Sequence, residues 1–210
     1  MSRVWFTADL HLGHAAIATI RAVNEGIARL WDHSPEADAH DIAWHDRTLA
    51  ANWDNHVQPD DHVWILGDLA LGGTEATARA LNWITDRPGQ KHLIPGNHDP
   101  IHPMHRDSHR WHRAYAEAFL SVQAFARRRI NGTTVLLSHL PYSGDHTAED
   151  RYSQYRLRDH GEWLLHGHTH NPAWYAPLRH ARQIHVGLDA WELKPASLED
   201  ITALMEGNPR

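Results

Sequence analysis

No cysteine occurs in the 210 residues, which excludes disulfides, thiolate-held zinc and cysteine nucleophiles together. Any metal must then be held by oxygen and nitrogen, and a reducing compartment is compatible with the chain. Long apolar runs are absent too. No stretch approaches the roughly 20 residues of a membrane-spanning helix, and the start Met1-Ser2-Arg3-Val4-Trp5-Phe6 lacks the apolar segment of a secretory signal. A soluble cytoplasmic protein with no membrane partner is the expectation. Positive charge is scarce: the formal net charge is -6, so no stable nucleic-acid complex is expected. Bound divalent cations would still make a pocket locally positive, so charge does not argue against a phosphate substrate. Phenylalanine is rare as well, at 3 against 10 tryptophans and 21 histidines. Many histidines must therefore be packing or surface residues, and a lone one carries little weight. With 41% hydrophobic and 22% charged residues, the chain suits one globular domain over residues 1–210, with no repeat or linker. Its oligomeric state cannot be read from this pattern.

Short apolar runs alternate with helical spacing. Arg3 to Ala8 reads as a strand with Asp9 and His11 in the loop at its carboxyl end, where functional loops sit in open α/β sheets. Ile17, Ile20, Val23, Ile27 and Leu30 share one helical face, which predicts a core-facing helix from about His14 to Leu30, weakened by Gly26. Pro35 is placed to start a second helix over residues 36–53, whose histidines need no chemistry. Asp61 to Leu66 predicts a strand delivering Gly67-Asp68, Ala76 to Ile84 a helix, and His92 to Ile94 a strand delivering Gly96-Asn97-His98-Asp99. A loop at 100–110, rich in His, Arg and Pro, is a candidate substrate rim, and a helix over Trp111 to Leu120 follows. Val122 to Phe125 and Thr133 to Leu137 are expected to pair around the Asn131-Gly132 turn, the second presenting Ser138-His139. After an irregular stretch at 141–160, Glu162 to Leu165 reads as a strand ending at Gly167-His168-Thr169-His170. Gln183 to Val186 is another strand, and Ser197 with Asp200 marks the start of a final helix. Strand, polar loop and helix in alternation predict a layered α/β core.

The polar loops carry the chemistry. Asp9 and His11, two positions apart, can turn toward one ion, supplying a hard carboxylate and a borderline imidazole. Asp68 ends an apolar strand, where an unpaired carboxylate would be unfavourable unless exposed, bonded or bound to cations; read alone, it would also serve as a helix cap. Asn97 offers a neutral carbonyl oxygen, which ligates without adding charge to an acidic centre, although Gly-Asn by itself is an ordinary turn. His139, His168 and His170 add imidazoles. Each is unremarkable singly, but seven suitable ligands at loop positions in this order form a two-metal constellation.

In this pattern the chain resembles the calcineurin-like metallophosphoesterases, whose motifs are Asp-x-His, Gly-Asp, Gly-Asn-His-Asp or Glu, His, and Gly-His-x-His. Every member of that pattern stands between Asp9 and His170. Phe6-Thr7-Ala8-Asp9-Leu10-His11-Leu12-Gly13-His14 and Val186-Gly187-Leu188-Asp189-Ala190-Trp191 are similar to the compact bacterial and phage branch. The resemblance implies a four-layer α/β/β/α sandwich of two mixed β-sheets flanked by helices. It implies a first ion at Asp9, His11, Asp68 and His170 and a second at Asp68, Asn97, His139 and His168, with Asp68 as bridge. His98 would then meet the phosphate and protonate the leaving oxygen or stabilise its charge, as a protonated imidazole can near neutral pH, with Asp99 orienting it.

Two divalent ions about 4 Å apart can lower the pKa of a bridging water and hold phosphorus in line with the attacking hydroxide. Mixed Asp, His and Asn ligands favour Mn, Fe, Ni, Co or Zn over Mg or Ca, with Mn the working choice. The resemblance implies hydrolysis of phosphomonoesters or phosphodiesters of a small phosphorylated molecule, a 2',3'-cyclic nucleotide being the favoured test. A phosphomonoesterase, a dinucleotide-polyphosphate hydrolase and a non-catalytic metal-binding scaffold are the alternatives. Arg106, Arg110, Arg151 and Arg156 lie on irregular segments from which a guanidinium could reach phosphate, though a solvated surface explains them as well. Trp111, Tyr142 and Tyr152 could stack on a base or simply pack.

Overall fold

Alternation along the early strands sends neighbouring side chains to opposite faces and divides the core in two. In the computed structural model, which describes residues 2–28, 34–145, 147–173 and 182–207, β1 (Val4–Thr7), β2 (His62–Ile65) and β3 (Gln90–Leu93) run parallel. β4 (Ser121–Val122) extends them beside β3, and β9 (Ala196–Ser197) closes this five-stranded sheet antiparallel to β1. The second sheet has four strands in chain order: β5 (Ala126–Ile130), β6 (Thr133–Leu137), β7 (Trp163–His166) and β8 (Gln183–His185). Its first pair is antiparallel and the rest parallel, so both sheets are mixed.

Trp5, Val63, Ile65 and Leu93 face helices. They pack with Leu49 and Trp53 of α2 (Pro35–His56), Ala80, Leu81 and Ile84 of α3 (Thr74–Thr85) and Tyr115 of α4 (His112–Ala118). On the opposite face, Phe6, Trp64, Leu66 and Ile94 meet Val135, Leu137, Leu165 and Ile184 of the second sheet, so the sheets pack against each other. Ile201 and Leu204 of α5 (Leu198–Met205) complete that layer. Each fully buried aliphatic side chain contributes about 1.5–3 kcal/mol. The caps follow the sequence: Ser34 accepts from the Ala37 amide with Pro35 behind it, and Ser197 accepts from the Asp200 amide.

Two expectations need correction. In α1 (Ala15–Asn24) the buried face is Ala18, Thr19, Arg21 and Ala22, whereas Ile20 and Ile27 stay 48% and 50% exposed. The alanines leave room for the long Arg21 side chain, whose donors are all met by interior partners, so a charged residue takes the inner face. Gly26, at φ 72, makes the left-handed turn after the helix, and Leu30 lies outside the described residues. The strand before the Asn131-Gly132 turn is β5, not Val122 to Phe125. Ser121–Val122 joins the first sheet, and Phe125 is exposed. Ala126 and Ile130 point inward from β5 while the Arg128 guanidinium lies 5.3 Å from the Trp64 ring centre, so an Arg-rich strand is accommodated. Among the described residues no helix is long and apolar enough to cross a membrane.

The parallel strands of both sheets end at one edge. Ala8 bridges Gly187 across the sheets, and the Gly167 amide donates to the His139 carbonyl at 3.0 Å. That edge gathers the polar loops.

Candidate metal centre

Five of the expected ligands leave their strands through the left-handed region: Asp9, His11, Asp68, His168 and His170 have φ of 59, 48, 57, 71 and 48°. Residues with side chains rarely adopt it, and such strain persists only where neighbouring structure holds it. Here the turns are cross-linked. The Asp9 amide donates to the Gly67 carbonyl at 2.9 Å and the His11 amide to the Asp68 carbonyl at 3.0 Å. Gly67 allows the approach, because a Cβ there would overlap the Gly96 backbone, and a Cβ on Gly96 would strike the Asp68 carboxylate.

All seven expected ligands meet. Asp68 Oδ2 lies 3.7 Å from His11 Nε2 and 3.5 Å from His139 Nε2, between two groups of donors. On one side the Nε2 atoms of His11 and His170 are 3.2 Å apart. On the other, His139 Nε2 and His168 Nδ1 stand 3.0 and 2.9 Å from Asn97 Oδ1. Donor atoms of Asp9, His11 and His170, and of Asp9, Asp68 and His139, fall within 4.8 Å of one another. The outer nitrogens are engaged elsewhere: His139 Nδ1 donates to the Leu66 carbonyl at 2.7 Å, His168 Nε2 to Asp145 at 3.0 Å and His170 Nδ1 to Asp189 at 2.9 Å. His139 and His168, so bonded and neutral, each turn a lone pair toward the Asn97 oxygen. Lone pairs converging at contact distance repel unless a cation lies among them, so the donor set fits divalent metal.

Electrostatics agree with the geometry. Burial pushes the Asp68 carboxyl up to about 7; His139 opposes the rise, while Asp9 and Asp99 add to it. Burial would raise Asp9 as well, but His185, His170 and His139 hold it well below the usual carboxylate range. Divalent cations would relieve this crowding of acids.

His98 stands at the mouth, its side chain 37% exposed and its Nε2 3.9 Å from Asp68 Oδ2. Burial, then His139, His14 and Arg151, push its pKa down to about 4, so the metal-free site favours the neutral ring over the protonated one expected. Asp99 also departs from its expected role. Its carboxylate accepts from the amides of Gly96, Asp68 and Leu69 at 2.8, 2.9 and 3.0 Å, bracing the Asp68 turn instead of orienting the His98 ring.

Four further residues join the site without having been singled out from sequence as its parts. Asp145 and Asp189 back His168 and His170. Arg21 donates to the Asp9 carbonyl at 2.8 Å, and the buried His185 places Nε2 3.5 Å from Asp9 Oδ2. Arg106 and Arg110 are exposed, while Arg151 and Arg156 both turn to Asp145. Trp111 packs against the helix-facing core, the Tyr142 hydroxyl donates to the Glu162 carbonyl at 3.4 Å, and the Tyr152 ring stands 5.9 Å from that of His168.

Comparison with known proteins agrees with the fold. Residues 36–187 match the calcineurin-like phosphoesterase superfamily domain. The Gene 66 protein of Mycobacterium phage L5 is 50% identical over 198 residues, covering 91% of this chain and 88% of that protein. An uncharacterized protein of Methanocaldococcus jannaschii is 28% identical over 212 residues, covering 98% and 93%. The crystal structure of a protein of unknown function from Aquifex aeolicus shares the fold, with a TM-score of 0.63 at 21% identity over 97% of this chain and 100% of that one. Asp9 and His11 precede the matched segment, yet the fold sets them against Asp68. The chain belongs to the calcineurin-like phosphoesterase superfamily, and is thereby a metal-dependent phosphoesterase.

Proposed function

We propose that this protein hydrolyses nucleotide-type phosphodiesters, 2',3'-cyclic nucleotides among them, with two divalent ions, manganese first in order of preference, in one catalytic domain. The observation that carries the reading is the buried Asp68 carboxylate, whose Oδ2 lies 3.7 Å from His11 Nε2 and 3.5 Å from His139 Nε2 and so faces both donor groups. Asp9, His11 and His170 would hold one ion with Asp68, and Asn97, His139 and His168 the other. When bound, the ions supply an activated water and neutralise charge on the phosphoryl group.

The protein contributes position and proton handling. Neutral His98 has one N–H to give to a phosphoryl oxygen at the mouth. The negative charge of an arriving phosphate raises the pKa of that ring, so it can then protonate the leaving oxygen. His105 Nε2 donates to the Asn97 carbonyl at 2.9 Å, which ties the 100–110 loop to a ligand turn and supports its reading as the substrate rim. The diester preference rests on the family resemblance, since rim contacts rather than ligands select the leaving group.

Manganese-reconstituted protein is expected to open 2',3'-cyclic AMP faster than it cleaves 3'-AMP, and a chelated control to do neither. Preference for 3'-AMP would make it a phosphomonoesterase, and turnover of neither compound would remove nucleotides from the reading.

A further inference from the structure

Each histidine of the Gly167-His168-Thr169-His170 turn has its own carboxylate behind it, and each carboxylate its own guanidinium fork. His170 Nδ1 meets Asp189 Oδ2 at 2.9 Å, and Arg21 grips Asp189 through Nε at 2.8 Å and Nη2 at 2.9 Å. His168 Nε2 meets Asp145 Oδ2 at 3.0 Å, and Arg151 grips Asp145 through Nη2 at 2.9 Å and Nε at 3.3 Å. A carboxylate on the outer nitrogen fixes the tautomer and direction of a metal-ligating imidazole, and a bidentate guanidinium fixes the carboxylate.

The two struts differ in what anchors them. Arg21 is 2% exposed on α1 and also donates to the Asp9 and Leu10 carbonyls at 2.8 and 3.3 Å, with Nη1 2.9 Å from His45 Nε2. One interior side chain therefore holds both the Asp9 turn and His170. The Asp145 strut stands on the irregular segment between β6 and β7. The Arg151 side chain is 37% exposed, while the buried Arg156 side chain reaches Asp145 Oδ2 at 3.4 Å and pins the segment through the Pro141 and Gly144 carbonyls at 3.1 and 2.9 Å. Local opening of such a segment requires less than opening a buried helix contact.

We propose that the two Arg–Asp–His struts set the affinities of the two ions separately, and that the ion beside His168 is the exchangeable one. Asp189, Arg21, Asp145 and Arg151 are then positioning residues that act through the ligands, an assignment that rests on the two-ion reading above.

The test is calorimetric titration of metal-stripped wild type, Asp189→Asn, Asp145→Asn and Arg151→Lys with Co(II), recording the visible absorption of the bound ion. His170→Ala and His168→Ala supply reference spectra for protein retaining one ion, and circular dichroism checks each fold. Asp189→Asn is expected to weaken one ion by about 10–100-fold and to leave the spectrum of His170→Ala. Asp145→Asn should weaken the other by a similar factor and leave the spectrum of His168→Ala. The half-exposed Arg151→Lys should give the same result more mildly, which keeps the second strut testable should Asp145→Asn fail to fold. Wild type under limiting chelator should pass through the His168→Ala spectrum. Equal weakening of both ions by either Asp→Asn variant, no weakening by either, or loss of the other ion first under chelator overturns the proposal while leaving two ions in place. Wild type that never takes up two ions overturns the two-ion reading itself.

Discussion

Asp68→Asn is expected to lower phosphoester hydrolysis by about a thousand-fold, since several kcal/mol of transition-state stabilisation would depend on the ions it is proposed to bridge. The same change should strip the protein of at least one ion. The substitution preserves shape, and burial already pushes the Asp68 carboxyl up to about 7, so a neutral amide replaces a group whose charged form the metal-free fold disfavours. Folding should therefore survive, and the loss can be read as a loss of metal. Metal analysis beside kcat/KM decides it: full metal content with near-wild-type turnover would remove Asp68 from the bridging role.

His98→Ala is expected to separate the two effects. Its side chain is 37% exposed, and it touches the ligand set through its backbone, whose amide donates to Asp68 Oδ1 at 2.9 Å. Alanine keeps that amide, so metal content should stay at the wild-type level while turnover falls by about 10²–10⁴-fold, the range for loss of a positioned acid or donor. Loss of both ions in His98→Ala would place the ring among the structural supports of the centre instead.

The contrast between these variants reflects how the site is written in the chain. The seven candidate ligands are legible because most of them stand beside a small or turn-forming neighbour just past an apolar run, and their order along the chain is itself a pattern. Their supports carry no such local mark. Arg21 and Asp189 are 168 residues apart, and neither has a neighbour announcing the other. A signal did exist in α1: Ala18 and Ala22 share a face with Arg21, and small residues around a long cation mark a face that can admit it. The isoleucine stripe is the stronger local pattern, yet apolar spacing predicts burial only where no buried partner competes. Asp145 was hidden in a polar stretch that looked solvated, yet its side chain is fully buried beneath two arginines.

The sheets show the same division. β1, β2 and β3 announce themselves by apolar alternation, and Asn131-Gly132, at φ 45 and 79°, forms the hairpin turn its sequence demands. The strand entering that turn is Arg-rich, and Arg128 lies over Trp64 in the other sheet, a contact invisible from within residues 122–130. Asp99 likewise reads as a partner for its neighbour His98, whereas in space it meets the amides of the Asp68 turn some 30 residues away. Local motifs mark the candidate ligands; long-range hydrogen bonds decide which acids contact them.

One carboxylate, Asp68, is proposed to join two ions in a single centre. Electron paramagnetic resonance of metal-stripped protein titrated with Mn(II) tests it most directly. Two equivalents per chain are expected to give an exchange-coupled pair, and Asp68→Asn to abolish the coupling. A wild-type spectrum of isolated Mn(II) at every loading, or saturation at one ion, would rule out the Asp68 bridge.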